Sequence, residues 1–182
     1  MRYLLALGAN LSGPAGAPDA TLDAALDRIA ELGTGLRASR YHSSPAWPAG
    51  SGPDYVNAAA SITSQMGAEA LLAALHAIEA DLGRVRGRRW AARASDLDLL
   101  GGDDLVSPDA ETVRAAIDAG PSETPPATLL LPHPRLHERA FVLVPLMEVA
   151  PDWRHPLLDL TVRQMHGALP EAAKAEIVPI LR

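Results

Sequence analysis

A chain of 182 residues, 48% apolar and with mean hydropathy near zero, has the length and composition of one globular domain. With no cysteine, disulfides, thiolate catalysis and cysteine-bound zinc are excluded. The net charge of −6 argues against general nucleic-acid binding, and the apolar runs fall short of the roughly 20 residues of a membrane span.

In chain order, the apolar run at 3–7, ended by Gly8, predicts a buried strand rather than a signal peptide, so a cytoplasmic location is expected. After a Gly/Pro/Ala-rich loop, Leu22, Ala25, Leu26, Ile29 and Leu32 recur at helical spacing, with Asp19 or Thr21 as N-cap and Gly33 as stop. Residues 36–44 read as a strand of mixed polarity. Over 55–63, Val56, Ala58, Ala60 and Ile62 form the core face, while Tyr55, Asn57 and Ser61 point the other way. Behind Gly67, Leu71, Leu72, Leu75, Ile78 and Leu82 form the stripe of a second helix, with Glu79 on its flank. A short strand at 96–100, a rigid turn at 132–134, helices over 139–149 and 161–169 and a closing strand within 177–181 complete the list. The order β-α-β-β-α-β indicates an α+β, ferredoxin-like antiparallel or mixed sheet with helices packed on its faces, an α/β/α sandwich. One domain over 1–182 is expected, with an acidic, proline-containing excursion at about 103–128 that holds one helical stretch at 109–119.

Charge is concentrated. Arginines 84, 86, 88, 89 and 93 fall in ten residues without an acid, whereas 103–123 carries six acids against Arg114 alone. Just after the arginines comes Asp96-Leu97-Asp98. On a strand, residues i and i+2 share a face, so both carboxylates project together while Leu97 packs inward. Such a pair is either a solvated strand end or a site for Mg²⁺, which takes one or two carboxylates and completes its shell with water and phosphate oxygens. Guanidinium groups match phosphate oxygens, so arginines beside the pair make either a surface ion-pair network or a polyphosphate site. Trp90 within the arginine loop is a stacking residue, a lid residue or a core anchor. His133, between Pro132 and Pro134, is a phosphate or nucleotide donor or a residue that stabilises the turn; with His137 it does not make a helical two-histidine metal face. No P-loop exists, since the only lysine is Lys174. Gly33-Thr34-Gly35-Leu36-Arg37-Ala38 matches GxGxxA but leads from a helix into a strand, the reverse of the dinucleotide-binding context.

Taken in order, Gly8-Ala9-Asn10-Leu11, Pro53-Asp54-Tyr55-Val56-Asn57-Ala58, Gly83-Arg84-Val85-Arg86, Arg89-Trp90 with Arg93, Asp96-Leu97-Asp98-Leu99, Leu131-Pro132-His133-Pro134 and Arg139-Ala140-Phe141-Val142-Leu143-Val144-Pro145-Leu146 resemble the 6-hydroxymethyl-7,8-dihydropterin pyrophosphokinase family. The likeness runs from about residue 3 to 170, interrupted at 103–128. It implies transfer of pyrophosphate from ATP to the pterin hydroxyl, giving AMP, in folate synthesis. It also implies two Mg²⁺ ions held by Asp96 and Asp98. Arg84 and Arg93 match arginines that contact phosphate, Arg93 as the transition-state partner, and Arg86, Arg89 and Trp90 match the lid loop over the nucleotide. Glu79, His133 and Arg139 match positions lining the ATP site. Tyr55 and Phe141 match the aromatics that sandwich the pterin; Asn57 and the segment Ser44, Pro45, Ala46 and Trp47 match those reading its edge.

The chain departs from the family in Ser44 where threonine is common, Ala91-Ala92 where Gly-Pro is usual, Thr128 and Leu130 where some members place arginine and threonine, and Pro134 where some carry an aromatic. ATP and the hydroxymethyldihydropterin are the expected partners, with no nucleic acid and no membrane, and a monomer is expected. Another Mg-dependent nucleotide-using transferase with a DxD site is the alternative enzyme. A ferredoxin-like RNA-binding module is the non-enzymatic alternative, disfavoured by acidity and by only seven Phe, Trp and Tyr residues.

Overall fold

Leucines at 4, 5 and 7 cannot all share one face of a strand, so the first strand requires cover on both sides. The computed structural model, which describes residues 1–46, 50, 52–84, 94–120 and 128–181, shows that cover. Six strands, β1 (Arg2–Ala9), β2 (Thr34–Ala38), β3 (His42–Ser44), β4 (Tyr55–Thr63), β5 (Asp96–Gly102) and β6 (Val178–Pro179), form one sheet in the order β5-β1-β4-β3-β6, with β2 also on β4. All paired neighbours are antiparallel. Helices α1 (Pro18–Ala30) and α2 (Ala68–Asp81) cover one face, where Leu5, Leu7, Ala58, Ala60, Ile62, Leu97 and Leu99 meet Leu22, Ile29, Leu71 and Leu75. The opposite face carries Leu4, Ala59 and Leu100 against α4 (Ala140–Val149) and α5 (Val162–Ala168), which contribute Val142, Leu143, Leu146, Val162 and Met165. This is the expected ferredoxin-like α+β sandwich, and Leu97 does pack inward.

Several local expectations are corrected. The N-cap of α1 is Ala17, with no side-chain cap, because Pro18 opens the helix. Proline suits that position, having no N–H to satisfy and a helical φ. Thr21 is turned inside and fully buried. The predicted strand at 36–44 is split into β2 and β3: Ser39 Oγ accepts the Ala59 N–H (3.0 Å), so a side chain interrupts the ladder. The face of β4 bearing Asn57 and Ser61 is not open to solvent; both residues are buried, since the second helical layer covers that face as well. Gly33 stops α1 for a reason beyond turn chemistry: a Cβ there would lie 2.2 Å from the Thr63 carbonyl oxygen. The helical stretch expected at 109–119 is α3 (Ala110–Ala119), capped by Asp109, whose carboxylate accepts the Thr112 N–H. The excursion is pinched at its base, where Ser107 and Leu131 exchange two backbone hydrogen bonds of 2.9 Å. A 3-10 turn (Leu136–Glu138) and α6 (Glu171–Ala175) are additional elements, and among the described residues no helix is long and apolar enough to cross a membrane.

Between α4 and α5, Trp153 closes the second core. Its Nε1–H donates to the Gly102 and Asp103 carbonyls at 3.2 Å, tying this turn to the end of β5. His155 beside it is fully buried, and its Nδ1 accepts the N–H groups of Leu157 and Leu158. Burial, and then the nearby His137, hold its pKa down to about 4. The unfolded chain, with a histidine near its ordinary 6.5, therefore binds more protons than the folded one between about pH 6.5 and 4. The stability that neutral His155 confers is present above pH 6.5 and is lost as pH falls through that window, by on the order of 3 kcal/mol in total. Urea midpoints should decline across it, and His155→Asn, which retains an acceptor for the two N–H groups, should flatten the decline by about one proton. An unchanged slope in the variant would remove His155 from the acid response.

Candidate active site

The site is built at one end of the sheet, where β1 finishes and β4 and β5 begin. Register brings Asp96, Gly8, Asn57 and His42 into one row across β5, β1, β4 and β3, with Asp98, Ala6 and Ala59 in the next row but one. Paired residues of an antiparallel ladder share a face. Asp96, Asp98, Asn57 and Tyr55 therefore lie on the same side of the sheet, the side of α4. Gly8 is the floor between them: a Cβ there would stand 3.4 Å from Asn57 Oδ1 and 3.9 Å from Tyr55 Cδ1. Asn57 is buried and its Nδ2 donates to Ser44 Oγ at 2.9 Å. Ala46 is buried as well, whereas Pro45 is exposed.

Each aspartate has a guanidinium beside it. Arg84 Nη1 lies 2.9 Å from Asp96 Oδ1, and Arg139 Nη1 lies 3.9 Å from Asp98 Oδ2. Arg84 is fixed by the way α2 ends. Gly83, at φ +89°, lets the chain reverse, so that Gly83 N–H bonds to the Ala80 carbonyl and Arg84 N–H to the Glu79 carbonyl. This is a Schellman turn, which needs a residue without Cβ in the left-handed region. It returns Arg84 over Glu79, and the two side chains bond as well. Glu79 lies beneath, 2% exposed, and its Oε1 also accepts the Leu97 N–H at 2.6 Å. Burial pushes its carboxyl up to about 7, against the opposing pull of the Leu97 N–H and Arg84.

Arg139 caps α4 and is mostly covered; its Cζ sits 5.7 Å from the centre of the Phe141 ring, within cation–π range. Phe141, in the first turn of α4, is 40% exposed, unlike its apolar neighbours Val142 and Leu143. His133 is anchored by its own N–H to the Leu100 carbonyl (2.8 Å), at the bulge where β5 shifts register against β1. Its Nδ1 accepts the Arg135 N–H at 3.1 Å, which leaves the proton on Nε2. Burial, and then Arg139, hold its pKa down to about 3, so the ring is a neutral donor at physiological pH. Trp47, Arg86, Arg89, Trp90 and Arg93 lie outside the described residues.

Two sets of contacts around the site join residues far apart in the chain. Asn10 Nδ2 donates to the Pro53 carbonyl (3.0 Å), joining the end of β1 to the segment that leads into β4. Buried His42 meets Glu148 of α4 at 3.4 Å, and Arg40 grips the same carboxylate. The separation of over a hundred residues between Arg40 or His42 and Glu148 leaves no local signal, whereas Asn10 lies in the Gly8-Ala9-Asn10-Leu11 motif.

The sequence profile of 7,8-dihydro-6-hydroxymethylpterin-pyrophosphokinase matches residues 4–151, which contain every element of the site. The chain belongs to this pyrophosphokinase family. A Haemophilus influenzae 2-amino-4-hydroxy-6-hydroxymethyldihydropteridine pyrophosphokinase is 38% identical over 152 residues, covering 81% of each chain. The Pseudomonas aeruginosa pyrophosphokinase of the same name is 38% identical over 156 residues, 85% of this chain and 84% of that one. Among solved structures, an HPPK-DHPS in complex with substrates superposes with a TM-score of 0.64 at 12% identity, over 92% of this chain and 43% of that one. Wild-type Plasmodium falciparum HPPK-DHPS with pteroate gives 0.63 at 12% identity, again with only 42% of its length covered. At that identity the structures support the pyrophosphokinase fold, while the sequence relatives carry the family.

Proposed function

We propose that the chain transfers the pyrophosphoryl group of ATP to the hydroxyl of 6-hydroxymethyl-7,8-dihydropterin, releasing AMP. Family membership supports the reaction; the observation that carries the site is that the Asp96/Asp98 pair and Tyr55/Asn57 share one face, with Gly8 between them. In this reaction the pterin oxygen bonds to the β-phosphorus and the β-phosphorus–oxygen bond to AMP breaks. AMP leaves with the electron pair, and the hydroxyl proton is released.

Asp96 and Asp98 are hard oxygen donors on one face with partly exposed carboxylates, which fits Mg²⁺, an ion that needs only one or two protein carboxylates. Two such ions, held there, would neutralise phosphate charge and acidify the pterin hydroxyl. Arg84 and Arg139 place fixed positive charge on either side of the pair, where phosphate oxygens gather. Neutral His133 donates from Nε2 without adding charge. Tyr55 and the exposed Phe141 stack on the pterin, and Asn57, with the segment Ser44, Pro45, Ala46 and Trp47, reads its edge. By family resemblance Arg86, Arg89, Trp90 and Arg93 close over the nucleotide and exclude water.

Mass spectrometry of products from ATP, Mg²⁺ and the hydroxymethyldihydropterin tests the proposal. AMP and the pterin diphosphate are expected in equal amounts. ADP with a pterin monophosphate, or ATP consumption without a pterin product, would replace it with a different nucleotide-using transferase.

A further inference from the structure

Glu79 matches a family position lining the ATP site, yet in the fold it is sealed at 2% exposure beneath β5. A single oxygen, Oε1, accepts both the Leu97 N–H at 2.6 Å and the Arg84 guanidinium. Leu97 is the residue between the two aspartates, and Arg84 Nη1 is the same nitrogen that lies 2.9 Å from Asp96. β5 is the end strand of the sheet order, and the Leu97 N–H takes its partner from outside the ladder, in Glu79. Without Glu79 that donor would be left buried and unsatisfied. Glu79 thus holds, from below, both the backbone that carries the aspartates and the arginine that faces the first of them.

We infer that Glu79 is a positioning residue, which sets Arg84 against the Asp96/Asp98 pair through one buried carboxylate oxygen and does not itself contact the nucleotide. This deepens the pyrophosphokinase reading and rests on it. Because Glu79 acts through Arg84, the two residues form one unit, and their substitutions are non-additive, as expected for groups in one bonded network. Glu79→Gln preserves an acceptor for Leu97 but loses the charge that aligns Arg84. Glu79→Ala loses both.

A double-mutant cycle separates this role from direct contact. Binding of Mg²⁺ with a nonhydrolysable ATP analogue is measured by calorimetry in the wild type, Glu79→Gln, Arg84→Ala and the double variant. We expect Glu79→Gln to weaken binding about tenfold when Arg84 is present and by less than twofold in the Arg84→Ala background, a coupling within the range for bonded neighbours. An equal loss in both backgrounds would assign Glu79 to the nucleotide and overturn the inference. The tether also has a ligand-free readout: amide exchange at Leu97 should quicken at least tenfold in Glu79→Ala and stay near wild type in Glu79→Gln. Unchanged exchange in Glu79→Ala would equally overturn it, and should that variant fail to fold, the Gln cycle decides. Failure of the wild type to form AMP with the pterin would discard the reaction while leaving the Leu97 measurement standing.

Discussion

Asp98→Ala should abolish turnover, with AMP formation falling by at least about 10³-fold, the scale expected when a metal-type carboxylate is removed from a phosphoryl-transfer site. Asp98 projects from β5 on the face of Asp96, its side chain is 42% exposed, and Arg139 stands 3.9 Å away. A partly exposed carboxylate of this kind contributes little to folding, so the melting temperature should stay within a few degrees of wild type. Pterin binding, proposed to rest on Tyr55, Asn57 and Phe141, should persist. Product assays beside a fluorescence titration with pterin check both halves. Turnover within tenfold of wild type would remove Asp98 from the mechanism.

Arg84→Ala should lower kcat by at least about a hundredfold, the range seen when one preorganised donor to transition-state charge is lost. Its second effect is on stability. Glu79, already raised to about 7 by burial, loses a guanidinium that favours its charged form and will hold its proton further into the neutral range. A loss of about 1–3 kcal/mol is expected from the broken buried contact. Lysine at this position should recover only part of the rate, because an ammonium lacks the planar fork that spans two acceptors. Steady-state kinetics at pH 8 with a denaturation curve for each variant measures both effects; an Arg84→Ala enzyme with wild-type kcat would sink the assignment.

Elements with strong periodicity were legible in the sequence. The 55–63 alternation and the leucine stripe behind Gly67 correspond to β4 and α2, and the ferredoxin-like order followed from them. What could not be read is what depends on a second layer. Alternation places Tyr55 and Asn57 on the face opposite Val56 and Ala58, but that this face is also covered requires α4, far along the chain. Likewise a serine that takes a neighbouring strand's N–H, as Ser39 does, leaves no trace in hydropathy. The site was legible as motifs but not as geometry. The Asp96-Leu97-Asp98 spacing gave the shared face; its link to Arg84 through Glu79 is set by the left-handed turn at Gly83. The sequence carries Glu79 five residues before Arg84 with Gly83 between, but helical periodicity places Glu79 only on a flank and the family resemblance only near ATP, and neither gives its bond to Arg84. Glu148 meeting Arg40 and His42 had no counterpart in local pattern, since tertiary packing alone joins them.

The reciprocal pair of bonds between Ser107 and Leu131 works as a clasp on the chain between them. Leu131 leads at once into Pro132 and His133, and His133 is pinned separately to Leu100, so the imidazole has a backbone anchor outside the excursion. Lengthening the exposed part of the excursion costs only loop-closure entropy, about 0.6 kcal/mol for each doubling, whereas α3 has to keep its packing, since Val113 is fully buried and Leu129 lies against the core. A peptide could be grafted on that exposed part with the Asp96 end of the sheet left in register, which makes it a natural place for the chain to acquire new surface.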